Sequence, residues 1–494
     1  MRSSVNDSDP IATWPRLKSL LHARADERAV GLSRGSTLEL DAGRAVLAAD
    51  LGVVAVSPVS GPSVEVPANG VLTFAVDVDQ PMYATGSVSI AADPRDLRPG
   101  LRAYVLSDAT VVGAPMIHQA LPAGDTQINF DLPGTTPAAK APLRSWRLEP
   151  GRHYISIAGP HYRAAGVFER LELRGLSIEP QTPTYTFAHV PDVHMGEQKR
   201  AVAAELIETF RLLRSQGIAF TIVGGDMASR ATRDEFAIFA TVVETADGFP
   251  IYGCVGNHDA YHASSRTDML ELLPSVFPGR QTNYVLNQPP LRFIVVDAAY
   301  WKMPAGKTGD LAPGWSVAFP GSDSPGCGMG PRGLEWLRRT LAADTTTPTV
   351  IVSHFPFLFA PAEHSQCGYR LDDCGENDRE LEPFIKAAPN VAATLNGHLH
   401  WNHLDIYPND HGDDILSFQG PAFCDWPCGY QVFRVYGGGD DVRLEWEMCL
   451  MDNMGFVATG GETPSRSASL SWKISTSYER DLVSEPGGVR LARG

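Results

Sequence analysis

Five short clusters of metal-binding side chains, each following a run of apolar residues, constrain this chain more than any other feature. Residues 185–190 and 219–223 read as strands and lead into Asp192-Val193-His194 and Gly225-Asp226. Residues 251–255 precede Gly256-Asn257-His258-Asp259, residues 349–352 precede Ser353-His354, and residues 391–395 precede Asn396-Gly397-His398-Leu399-His400. Between the first two strands, a helical pattern over residues 198–214 sets Val202, Leu206, Phe210 and Leu213 on one face. A further strand at 291–296, helices at about 333–343 and 379–387, and closing strands at 430–435 and 442–448 continue the alternation. Most of these strands are apolar throughout, which predicts burial on both faces between helical layers. In α/β sheets of this kind, sites gather at the strand ends.

Singly, each cluster is ordinary: a Gly-Asp pair is usually a turn, and a histidine at a strand end is usually structural. In this order, the five resemble the motif series of the calcineurin-like metallophosphoesterases over residues 184–450. The resemblance implies an α/β fold, a layered core with helices flanking two mixed sheets, and metal-dependent hydrolysis of phosphoesters. It also implies two divalent transition-metal ions, Mn, Fe or Zn. Carried over by position, Asp192, His194 and His400 complete one metal site, Asn257, His354 and His398 complete the other, and Asp226 bridges them.

These residue types suit that chemistry. Two cations about 3.5–4 Å apart need a carboxylate between them to offset their repulsion. In His398-Leu399-His400, alternation along an extended segment puts both imidazoles on one side. Two divalent ions, two aspartates and one bridging hydroxide leave a formal charge of about +1, suited to an anionic phosphate, and coordination makes that hydroxide available as nucleophile. His258 is not needed as a ligand and is expected to stabilise the phosphoryl oxygens or protonate the leaving group. Asp259 either orients His258 or is a solvent-facing turn residue.

Finer details narrow the resemblance. Residue 229 is Ser, where purple acid phosphatases carry a metal-binding tyrosine, so no iron-tyrosinate centre is expected. Residues 230–236, with Glu235-Phe236, resemble the same stretch of class III cyclic-nucleotide phosphodiesterases, as do Asp259 and Leu334-Glu335-Trp336-Leu337. Pro191 and Phe355 depart from the common pattern without removing a ligand. The segment between His354 and Asn396, with His364, Tyr369, Arg370 and Asn377, is either a lid or a surface insertion. Arg370 meets a phosphate or is merely solvated, and His262 and His403 line the pocket or support the metal ligands. A phosphodiesterase is the leading expectation and a phosphomonoesterase or nucleotide pyrophosphatase the alternative. A binding protein acting through its N-terminal domain is a third possibility.

The chain of 494 residues is too long for one core. Residues 1–35 read as a polar arm with a helical pattern at 14–25, and residues 36–180 as an accessory domain, an antiparallel β-sandwich or jelly roll. Trp146 and Tyr154 there are either a carbohydrate platform or, as sandwich aromatics more often are, core. The catalytic domain spans 184–455, and a polar extension, 456–494, follows. A formal net charge of −16 makes nucleic acid an unfavourable partner and leaves a small-molecule phosphoester as the expected one. No apolar run suits a signal peptide or membrane span, so a cytoplasmic location without membrane attachment is expected. Seven cysteines, with close pairs Cys367/Cys374 and Cys424/Cys428, fit reduced structural residues better than a zinc knuckle, and a bridge at the first pair stays open. Oligomeric state is not legible.

Overall fold

The computed structural model describes residues 10–50, 55–56, 64–66, 70–91, 102–107, 116–117, 127–129, 146–158, 166–196, 200–262, 264–301, 312–313, 328–357, 378–400, 403–425, 428–438, 441–453 and 486–491. The chain divides into two compact units. The first comprises Met1–Thr182, Trp426–Val432 and Glu445–Val489, and the second comprises Pro183–Asp425, Phe433–Leu444 and Arg490–Gly494.

The first unit opens with helix α1 (Pro10–Arg28), longer than the pattern at 14–25 predicts, with Leu21 and Ala25 buried. Its strands are β1 (Val30–Leu32), β2 (Thr37–Asp41), β3 (Leu47–Asp50), β4 (Ala55–Val56), β5 (Val64–Val66), β6 (Gly70–Val78), β7 (Met82–Ala91), β8 (Arg102–Ser107), β9 (Met116–Ile117), β10 (Gln127–Asn129), β11 (Trp146–Leu148), β12 (Gly151–Ala158) and β13 (Gly166–Gly175). One sheet runs β4-β3-β6-β12-β8-β9 with β1 beside β6, and the other runs β10-β7-β13-β2 with β11 beside β7 and β5 beside β13. On β13, Phe168, Leu171 and Leu173 are buried while Arg170 and Arg174 are exposed. Strict alternation would put Phe168 and Leu171 on opposite faces. A register shift between Phe168 and Arg170 resolves this, because an extra residue in one strand returns the side chains to a common face. Phe168 then meets Phe74 of the other sheet at 5.4 Å between ring centroids. Tyr154 is buried and stacks on His22 at 5.9 Å, a core position; the side chain of Trp146 lies outside the described residues.

The second unit holds β14 (Tyr185–His189), α2 (Arg200–Ser215), β15 (Phe220–Val223), α3 (Arg233–Thr245), β16 (Ile251–Gly253), α4 (Ser265–Leu272), β17 (Tyr284–Gln288), β18 (Leu291–Val295), β19 (Tyr300–Trp301), β20 (Ala312–Pro313), α5 (Gly330–Ala343), β21 (Thr349–Val352), α6 (Asp378–Ala387), β22 (Val391–Asn396), β23 (His403–Pro408) and β24 (Asp414–Gln419). Three later strands, β25 (Gly429–Gly438), β26 (Asp441–Leu450) and β27 (Val489–Arg490), contribute residues to both units. One sheet runs β16-β15-β14-β25-β26-β27 and the other β17-β18-β21-β22-β24-β23. Strands β14, β15 and β16 are parallel, as are β18, β21, β22 and β24, so their carboxyl ends point the same way within each sheet. Every residue of β15, β18, β21 and β22 is buried, as their largely apolar runs predict, and in β18 this includes the charged Arg292.

Aromatic rings join the two sheets. Phe187 of β14 stacks on Phe220 of β15 at 5.2 Å and on Phe433 of β25 at 5.0 Å, and meets Phe293 of β18 edge-on at 5.1 Å. Rings of this size bury large apolar areas in defined geometry and so hold the strand ends in fixed relation. Val202, Leu206, Phe210 and Leu213 of α2 are all fully buried, the stripe that their spacing predicts. Helix α3 starts with a capping box: the Thr232 side chain accepts from the Glu235 N–H, and the Glu235 carboxylate accepts from the Thr232 N–H. No helix among the described residues is long and apolar enough to cross a membrane. Cys254, Cys424, Cys428 and Cys449 are buried, while Cys367 and Cys374 lie outside the described residues.

Candidate metal centre

The loops after β14, β15, β16, β21 and β22 bring Asp192, His194, Asp226, Asn257, His354, His398 and His400 together, with His258 at their edge. Five of the seven donors, Asp192, His194, Asp226, His398 and His400, have left-handed backbones, with φ between 52° and 70°. Asp192 donates its N–H to the Gly225 carbonyl at 3.1 Å and His194 donates to the Asp226 carbonyl at 2.7 Å, which laces the first two loops together. The Asp192 carboxylate accepts the His398 N–H at 3.0 Å. Glycines permit the crowding. Gly225 has φ of 97°, and a Cβ there would lie 2.5 Å from His354 Nδ1, while a Cβ on Gly256 would overlap Asp226 Oδ1.

Two groups of donors result. In one, His194 Nε2 and His400 Nε2 approach to 3.3 Å, with Asp192 Oδ1 3.4 Å from His400 Nε2. In the other, Asn257 Oδ1 lies 3.0 Å from His354 Nε2 and 3.1 Å from His398 Nδ1. Asp226 lies between them: Oδ1 accepts the His258 N–H at 2.8 Å, and Oδ2 lies 3.2 Å from His354 Nε2 and 3.5 Å from His194 Nε2.

Second partners fix which nitrogens face inward. His354 Nδ1 donates to the Gly224 carbonyl at 2.9 Å, and His400 Nδ1 donates to Asp425 Oδ2 at 2.7 Å. Each leaves its Nε2 lone pair for the centre, the tautomer a cation needs. Charge is matched in the same way. Burial disfavours charge on Asp226, yet His354, His258 and His194 outweigh it and hold the carboxyl well below its usual range. Burial also opposes protonation of His354, but Asp226 and Asp192 raise its pKa to about 9. His400 is raised well above its ordinary value against burial, by Asp192 and Asp425, whereas burial and the neighbouring His354 push His398 down to about 3. The centre therefore attracts positive charge, and its imidazole, carboxylate and amide donors fit divalent transition metals. Triads Asp192/His194/His400 and Asp192/Asp226/His354 each offer donor atoms within 4.8 Å of one another, as do His194, Asp226 and His258.

The remaining residues take varied places. His258 is half-buried, with Nδ1 2.7 Å from the Ser229 carbonyl and its ring 4.8 Å from that of Tyr261. Asp259 is fully buried, not solvent-facing, and accepts the N–H groups of Ala228 at 2.9 Å and Gly256 at 3.0 Å. It ties the β15 and β16 loops through those backbone groups, while the His258 ring has its Nδ1 on the Ser229 carbonyl; burial and the charge of Asp226 raise the Asp259 pKa to about 7. His262 is exposed at the start of α4, where its N–H donates to Ser265 Oγ. The side chain of His403 and all of Arg370, His364, Tyr369 and Asn377 lie outside the described residues. Asp425 and the carbonyls of Gly224 and Ser229 carry no motif that sequence reading could use.

Fold and site together bring a set of donors able to hold divalent metal to the carboxyl ends of parallel strands. Residues 185–402 match the family model described as calcineurin-like phosphoesterase. No curated protein matches the chain. Among solved structures it is similar to a dimetal phosphatase from Danio rerio, with 13% identity over 55% of this chain and 100% of that one, at a TM-score of 0.38. It is also similar to a purple acid phosphatase from yellow lupin (Lupinus luteus) seeds, with 12% identity over 81% of this chain and 76% of that one, at a TM-score of 0.37.

Proposed function

We propose that this protein hydrolyses phosphoesters with two divalent transition-metal ions, and that its substrates are phosphodiesters. The observation that carries the reading is Asp226 Oδ2, set 3.2 Å from His354 and 3.5 Å from His194, between two groups of converging donors. Asp192, His194 and His400 would hold one ion, Asn257, His354 and His398 the other, and Asp226 both. When bound, such ions supply Lewis acidity and make coordinated water acidic. The protein's own contribution is position and proton control. Asp425 and the Gly224 carbonyl orient His400 and His354, Asp259 holds two loops in register, and His258 stands at the rim, free of the seven-donor set, to serve the phosphoryl oxygens or the leaving group. The diester preference is supported by the sequence resemblance at residues 230–236, Asp259 and residues 334–337. The first unit, with its two strand assemblies, is read as an accessory sandwich domain.

The deciding experiment loads the purified protein with Mn, Fe(II) or Zn, counts bound metal, and compares turnover of bis(p-nitrophenyl) phosphate with that of p-nitrophenyl phosphate. Two ions per chain and faster diester cleavage are expected. Faster monoester cleavage would make the protein a phosphomonoesterase on the same core. Absence of turnover with either ester at full metal content would remove the hydrolase reading.

A further inference from the structure

His258 is anchored through the main chain. Its Nδ1 lies 2.7 Å from the Ser229 carbonyl oxygen, and since a carbonyl only accepts, Nδ1 carries a proton and exchange is left to Nε2. That carbonyl is held from three sides. The Ser229 N–H donates to the Met195 carbonyl at 2.9 Å, and its hydroxyl donates to the His194 carbonyl at 2.8 Å. Beyond it, Glu235 Oε2 accepts the N–H groups of Arg230 at 2.8 Å and Thr232 at 3.2 Å, across a turn in which Ala231 has φ of 55°. A capping box needs only the bond to Thr232, the N-cap of α3. The added bond to Arg230 lies outside the helix and fixes the peptide next to the Ser229 carbonyl. Glu235 is only 7% exposed, so its removal leaves two N–H groups of a tight turn without their acceptor.

We propose that Glu235 and Ser229 are positioning residues for His258, holding its ring in the tautomer and direction that turn Nε2 toward the leaving group. The effect on turnover rests on the phosphoesterase reading; the effect on the ring does not.

The test uses the full-length protein loaded with zinc, a diamagnetic ion. Imidazole nitrogen resonances report the tautomer, and His258→Gln identifies the signal. Wild type is expected in the Nδ1–H form, Glu235→Leu and Ser229→Ala in a mixture of forms, and Glu235→Gln as wild type, since one amide oxygen can accept both N–H groups. Glu235→Leu should lower turnover of an alkyl phosphodiester about tenfold, in the range for lost supporting partners, with KM and metal content unchanged and a smaller loss on a nitrophenyl diester. Wild-type tautomer in both Glu235→Leu and Ser229→Ala would overturn the proposal, as would loss of metal in Glu235→Leu. If Glu235→Leu does not fold, Ser229→Ala and Glu235→Gln still decide it: an unshifted signal in the first or a shifted one in the second refutes it. Should wild type cleave neither ester, the phosphoesterase reading fails while the ring spectra still answer for Glu235.

Discussion

His400 Nδ1 sits 2.7 Å from the carboxylate of Asp425, a partner 25 residues further along the chain. The bond turns the His400 Nε2 toward Asp192 and His194 and, with Asp425 buried, makes the imidazole a stronger donor. Asp425→Ala is expected to lower metal affinity or activity about 10–100-fold, the range for outer partners of metal-binding histidines. Calorimetric metal titration of the variant checks this, and wild-type affinity would show that Asp425 has no part in the centre.

Asp226→Asn is expected to do more damage than any other single donor change, because both groups lose their shared anion. Metal content and turnover should fall together. Full two-ion occupancy with near-wild-type rate in this variant would refute the bridging role.

His258→Asn is expected to leave the metals in place while lowering turnover by about 10²–10⁴-fold, the usual contribution of a general acid. The loss should be smaller for a nitrophenyl ester, whose leaving group needs little protonation, than for an alkyl ester. Equal losses for both would point to stabilisation of the phosphoryl oxygens, and loss of metal would make His258 a ligand.

In the first unit, His153 is 1% exposed; its Nε2 donates to the Glu149 carbonyl at 2.7 Å, and its Nδ1 has no partner. Burial lowers its pKa below the ordinary 6.5, so below that value the unfolded chain binds the proton the folded one refuses. Stability then falls as pH drops through 6.5. His153→Gln keeps a donor for the carbonyl and cannot titrate. Its thermal midpoint should change less than that of wild type between about pH 7 and pH 5, and an identical change would show that other groups govern the acid response.

The buried strands were the most legible part of the fold. β21 covers Thr349–Val352, the residues its run predicts, because a strand enclosed on both faces is β-branched and mostly apolar from end to end. Helix α3 is signalled by Thr232 and Glu235, yet its charged first turn, Arg233-Asp234-Glu235, reads as loop unless that pair is taken as a cap. The β23–β24 hairpin escapes the apolar reading because β23 is an edge strand mixing Asp405 with exposed Ile406, and its turn is held by the Asn409 side chain. At the centre, motif order points to the seven donors the structure gathers. Their second partners are invisible to it: the Gly224 and Ser229 carbonyls have no residue type, and Asp425 reaches His400 only through the course of the chain after β24.

The left-handed backbones at Asp192, His194, Asp226, His398 and His400 carry a consequence for how such a centre could be lost. Each costs an L-residue about 1–2 kcal/mol relative to its relaxed conformation, a cost that glycine largely escapes. Glycine at any of the five would thus relax the local backbone of the metal-free chain even as it removed a donor. Part of that cost is offset within the fold, because the Asp192 and Asp226 carboxylates accept the N–H groups of His398 and His258. Five donors held in such postures around one point mark a stretch of chain whose backbone is shaped to aim side chains and not to rest at its own minimum.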